Sequence, residues 1–145
     1  MRRCLPLISA LCVFLTAIHT EAQSLLPEKG GDRVRLSANI EMKGGYISGV
    51  CAMLRDDGQI KCSLFNEFGI SALDFIYDTA KDKIKIMSAA DFIDKWYIKR
   101  ILKKDLKHIM HNMEEGRNTY INEKRNIHYE FIPLGDATEG RPIHN

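Results

Sequence analysis

With 145 residues and a formal net charge of +2, the chain has room for one compact domain and stands close to electroneutral. Proteins that hold nucleic acid in bulk carry a strong basic excess, so this balance argues against a nucleic-acid partner. Of the four cysteines only Cys51 and Cys62 lie beyond the N-terminal apolar run, which leaves no cysteine cluster for a zinc site and no metal or other cofactor to expect.

The chain opens with Arg2 and Arg3, followed by an uncharged run from Cys4 to Ile18. Thr20 and Ala22 then supply small residues at the −3 and −1 positions of a cut before Gln23. That order predicts a cleaved secretory signal peptide over residues 1–22, and the apolar run is too short for a spanning helix. Cys12 is not preceded by the small-residue lipobox of bacterial lipoproteins, so the expected product is periplasmic or secreted and not a lipoprotein. Residues 23–32, with Pro27 and Gly30-Gly31, read as a flexible lead-in. A single globular domain is expected over 33–134 and a mobile tail over 135–145.

From Arg33 the pattern alternates. Val34, Leu36, Ala38 and Ile40 interleave with polar residues as a half-buried strand does. Gly44-Gly45 breaks the run, and Tyr46 to Leu54 reads as a second strand in which Gly49 permits a bulge or a close backbone approach. Arg55-Asp56-Asp57-Gly58 is a turn signal, and Ile60 to Phe65 returns as a third strand. Asn66-Glu67-Phe68-Gly69 makes a polar corner. Ile70 to Tyr77 and Lys83 to Ile86 form a further hairpin.

At Ser88 the period changes. Ser88 is placed to cap a helix, with Asp91 near a capping-box position. Phe92, Trp96, Ile98, Ile101, Leu102, Leu106, Ile109, Met110 and Met113 follow at helical spacing, and Gly116 supplies a stop. A short separate turn over Phe92 to Tyr97 is the alternative start. Thr119 to Ile121 and Ile127 to Ile132 suggest a final hairpin. Amphipathic hairpins with one long amphipathic helix make an α+β domain, the helix stripe lying on one face of an antiparallel sheet.

Cys51 and Cys62 flank the Asp57-Gly58 turn and are a disulfide candidate in an oxidising compartment. A bridge needs Cα atoms roughly 4.4–6.8 Å apart, which holds only if the loop centres between Asp56 and Asp57. A two-residue Asp57-Gly58 loop offsets the pair diagonally, a glycine bulge at Gly58 puts it one residue out of step, and free buried cysteines are the alternative to a bridge. His108 and His111 share a helix face but lack a third ligand, and read as exposed histidines. Lys95, Lys99, Arg100, Lys103, Lys104 and Lys107 put a basic stripe on the helix. It reads as a solvated face or as a contact for an anionic membrane surface or acidic partner. Glu67, Asp74 and Asp78 are isolated carboxylates, and no nucleophile motif or phosphate-cradling glycine loop occurs, so an enzyme is not expected.

Gly45-Tyr-Ile-Ser-Gly49, Ser63-Leu-Phe65, Phe68-Gly-Ile70, Leu73-Asp-Phe-Ile-Tyr77 and Lys83 to Ile86 with the helix after it carry a further likeness. In these diffuse motifs the stretch Gly45 to Leu106 resembles the LolA/LolB-like superfamily of bacterial envelope proteins. The resemblance implies a strongly curved, half-open barrel of hairpins lidded by helix, and carriage of lipoproteins or acyl chains in its concave face. The chain departs from that pattern in its shorter length, in lacking a long N-terminal helix, and in Arg33, Arg35 and Arg55. Phe65, Phe68, Leu73, Phe75, Tyr77, Trp96 and Leu102 are the candidate ligand-lining residues, though apolar residues at such spacing equally fill cores. The leading expectation is a non-enzymatic envelope protein that binds a lipid, acyl chain or lipoprotein. The rival is a small interaction protein with a filled core that binds another envelope protein.

Overall fold

The computed structural model describes residues 23–135. The expected leader at 1–22 and residues 136–145 of the expected tail lie outside the described residues.

Seven strands and one helix follow in chain order: β1 (Arg33–Met42), β2 (Gly45–Asp56), β3 (Gln59–Asn66), β4 (Ser71–Asp78), β5 (Lys83–Ala89), α1 (Trp96–Glu114), β6 (Thr119–Asn122) and β7 (Ile127–Pro133). All strand pairs are antiparallel, and the sheet order is β5-β4-β3-β2-β1-β7-β6. The sheet curls into a half-barrel, and α1 touches both of its edge strands, β5 and β6. The fold is α+β, as the periodicities imply.

Alternation decides what faces inward. Leu36, Ala38 and Ile40 of β1 share the buried face of the sheet with Cys51 and Met53 of β2, Ile60, Cys62 and Leu64 of β3, and Leu73, Phe75 and Tyr77 of β4. Tyr129 and Phe131 of β7 complete the concave wall. Leu102, Leu106, Ile109, Met110 and Met113 form the α1 stripe that fills it. Burying such side chains contributes about 1.5–3 kcal/mol each, so the filled curl supplies most of the driving force.

The turn at Asp57-Gly58 is a two-residue loop pairing Asp56 with Gln59, and Asp57 takes φ 58. That register sets the cysteines. Cys51 faces Leu64 and Cys62 faces Met53, so the two are diagonal neighbours on one buried face. Both are free thiols, which corrects the disulfide candidate. Burial pushes Cys51 up to about 12 and raises Cys62 as well, with the nearby Cys51 adding to the rise. Neither is a nucleophile near neutral pH.

Ser88 does not cap the helix. It pairs with Asp74 inside β5, which continues to Ala89 across a register shift between Asp74 and Phe75. A tight turn follows, in which Ile93 and Asp94 donate backbone hydrogen bonds to the Ala90 carbonyl. Only then does α1 begin, with Lys95 as an N-cap that makes no side-chain cap. The helix ends as expected: Gly116, at φ 82, donates to the Met113 carbonyl and Arg117 donates to Asn112, a Schellman stop.

The lead-in is docked rather than loose. Leu25 N–H donates to the Met113 carbonyl at 2.8 Å, Leu26 and Pro27 are buried, and Gly31 and Asp32 exchange backbone bonds with Arg55. Apolar Leu25-Leu26-Pro27 gain more from covering the end of α1 than they lose in chain freedom.

Candidate functional site

The seven candidate lining residues do not converge. Leu73, Phe75, Tyr77 and Leu102 belong to the core, where α1 fills the concave face. Phe65 is half-buried beside Arg33, Val34 and Lys61 in a separate shallow depression. Phe68 and Trp96 are 79% and 74% exposed. A ligand chamber under the helix is therefore replaced by packed side chains, and the open surface lies at one end of the half-barrel.

At that end β2 begins, β3 ends, β4 begins and β5 ends. Asn66 shapes it. Its Oδ1 accepts from Phe68 N–H and Ile70 N–H, both at 3.0 Å, while Gly69 takes φ 76, so the corner holds Phe68 outward. Phe68, Ile70, Tyr46 and Phe92 surround a groove of about 480 Å³ that also touches Ile47 and Ala72. Tyr46 is 77% exposed, and Ile70 and Phe92 are also largely bare. Clustered exposed apolar side chains of this size mark binding surfaces. Of these, periodicity singled out only Phe68 as a ligand residue. Tyr46 read as the start of a strand and Phe92 as a helix position.

The one buried charged residue among those described is Asp105, 3% exposed on the inward side of α1. Tyr129 OH donates to Oδ2 at 2.7 Å, and Asn122 Nδ2 donates to both oxygens at 3.0 Å. Burial, the hydrogen bond to Asp105 and its charge together raise Tyr129 well above the usual phenol range, so it stays a donor. The network fastens β6 and β7 to α1. Above it, Trp96, Tyr97, Arg100, Lys104, Lys124 and Arg125 wall a cleft of about 440 Å³.

At the opposite end Asp82, at φ 52 in the β4–β5 turn, accepts from Tyr77 OH at 2.8 Å and meets His111 Nε2 at 2.6 Å and Lys107 Nζ at 3.3 Å. His111, with smaller help from Tyr77 and Lys107, holds Asp82 down at about 2 against an ordinary 3.8, although its partial desolvation works the other way. A carboxylate depressed in the folded state stabilises above its unfolded pKa, and that contribution disappears as pH falls through the folded value. Urea midpoints should therefore drop between about pH 4 and pH 2, with a shallower drop for Asp82→Asn. Equal slopes would mean that the contact contributes nothing.

The basic stripe is divided. Lys99 pairs with Asp94 and Lys107 with Asp82, whereas Lys95, Arg100, Lys103 and Lys104 are exposed with no ion pair among the described residues. His108 stacks on Tyr120 at 5.2 Å. No grouping of His, Cys, Asp and Glu suited to a metal occurs among the described residues, and no described helix is long and apolar enough to cross a membrane. Compared with family models, curated proteins and solved structures, the chain matches none.

Proposed function

We propose that this protein is a non-enzymatic binding protein of the bacterial envelope, acting after export, which takes an acyl chain or similar apolar ligand at the end of its half-barrel. The observation that carries the reading is the ring of Tyr46, Phe68, Ile70 and Phe92 around one groove, exposed beside a core that needs none of them. The groove falls within the ordinary range of ligand sites in volume. Burying about ten methylene groups there would contribute about 8 kcal/mol, the scale of a micromolar complex before ordering costs. The signal-peptide pattern and the resemblance to envelope lipid carriers support the same reading.

Lipid extraction and mass spectrometry of the purified protein should find a bound acyl lipid, and a medium-chain fatty acid should raise its melting temperature. Phe68→Asp with Phe92→Asp should abolish that rise without lowering the unliganded melting temperature, because both residues stand in solvent. No lipid and no thermal shift would remove the reading. The filled concave face favours a second one, an interaction protein that buries this patch against another envelope protein. Stable co-purification of a partner that Phe68→Asp releases would support that instead.

A further inference from the structure

The cleft beside the start of α1 has no role in the reading above, and its composition is unusual for a surface depression. Arg100 and Lys104 occupy successive turns of α1, and Lys124 and Arg125 enter from the β6–β7 loop. None of the four has a carboxylate within ion-pair distance among the described residues, in contrast to Lys99 and Lys107 on the same helix. Among the described residues, the only acidic one bordering the cleft is Asp105, whose oxygens are already taken by Asn122 and Tyr129 beneath the surface. Converging cations left without counter-charges repel one another unless an anion joins them.

The loop that carries two of these cations is held in place. Asn122 donates to Asp105 through Nδ2 and accepts from Arg125 N–H through Oδ1 at 3.2 Å, while Asn126 takes φ 53 to close the turn. The buried carboxylate thus positions Lys124 and Arg125 opposite the helix. Two arginines suit an oxyanion with several acceptor oxygens, since each guanidinium can donate two parallel bonds. Trp96, which lies over the cleft, stands four residues after Phe92 of the aromatic groove, a stretch of chain that spans at most about 14 Å and so keeps the two sites within reach of one lipid.

We propose that this cleft binds a phosphate group, the headgroup of the acyl lipid whose chains occupy the groove between Tyr46, Phe68 and Phe92. The inference rests on that reading for the chains but not for the phosphate. Trp96 is the only tryptophan of the chain, so its emission reports on the cleft directly. Dihexanoyl phosphatidic acid should shift that emission at concentrations at least tenfold below those needed for dihexanoylglycerol, which carries the same chains without phosphate. The combined substitution Arg100→Ala and Arg125→Ala should erase the difference, and added salt should weaken it. Equal responses to the two lipids, or a double variant indistinguishable from the parent, would overturn the proposal. Phe68→Asp with Phe92→Asp should weaken both lipids alike. If the phosphate preference survives those changes with neither lipid weakened, the cleft stands and the groove reading falls. Inorganic phosphate acting at the same concentration as phosphatidic acid would likewise support the cleft, with free phosphate as the ligand.

Discussion

Gly49→Ala is expected to destabilise the protein by about 3 kcal/mol or more, a large share of what holds a domain of this size together. A Cβ built at Gly49 lies 1.7 Å from the Phe65 carbonyl oxygen and 2.8 Å from the Phe65 carbonyl carbon. Both are main-chain atoms, so no rotamer change relieves the overlap. Gly49 sits opposite Asn66 in β3 and Ala38 in β1, and the β3–β4 register shifts at Leu64/Phe65. The carbonyl turned in at that irregularity occupies the space a side chain would need. Relief requires β2 and β3 to part at the point where the corner carrying Phe68 begins. The residue is required for spacing rather than for φ, which is not in the left-handed region. Gly45→Ala is the control: nothing lies within 4 Å of its Cβ, and its midpoint should move by no more than about 0.5 kcal/mol. Urea denaturation of the two variants side by side decides the matter, and equal midpoints would refute the close approach.

Asp105→Ala should cost about 2–4 kcal/mol, the second large effect. Removing the carboxylate leaves Tyr129 OH and both donor bonds of Asn122 without acceptors next to the core, and an unsatisfied buried donor costs about 1–3 kcal/mol. The loss should be strongly non-additive. In the Tyr129→Phe background the same substitution should cost visibly less, because one stranded donor is already gone. Thermal unfolding of the four proteins of that cycle measures the coupling, and simple additivity would show that the bonds are not formed together. The change should also loosen the β6–β7 loop, since Asn122 joins Asp105 to Arg125.

Much of the architecture was legible because alternation and turn chemistry agreed. The Lys83-Ile84-Lys85-Ile86 pattern, the Asp57-Gly58 turn and the Gly116 stop each follow from local physics that the fold does not override. Ser88 departs from its expected cap because a short hydroxyl residue suits either a cap or a strand, and its pairing with Asp74 beside a bulge is set by the neighbouring strand rather than by local sequence. The lead-in departs from its expected flexibility because Leu25 and Leu26 pack on the end of α1, an affinity that Pro27 and two glycines mask in the sequence. The burial of Asp105 is not legible from residue type, because a charge on a helix normally faces water. Its position between Leu102, Leu106 and Ile109, on the apolar stripe, was the available signal. For the site, Leu73, Phe75 and Tyr77 were indistinguishable from ligand contacts by spacing alone, since periodicity reports which face a residue occupies but not whether a helix covers that face.

The sheet order carries a consequence for how the chain is made. β1, the first strand, lies inside the sheet, flanked by β2 and β7. Leu36 must find Pro133 and Glu41 must find His128, pairings as remote as the domain allows. Contacts of such high sequence separation slow folding, because the closure entropy of the long loop is met before the pairing stabilises anything. Until β7 is delivered, β1 presents a row of unpaired backbone groups, the template on which other chains add. Any truncation ahead of Ile127 would leave that edge permanently open, so chains cut short there should aggregate rather than fold as smaller domains.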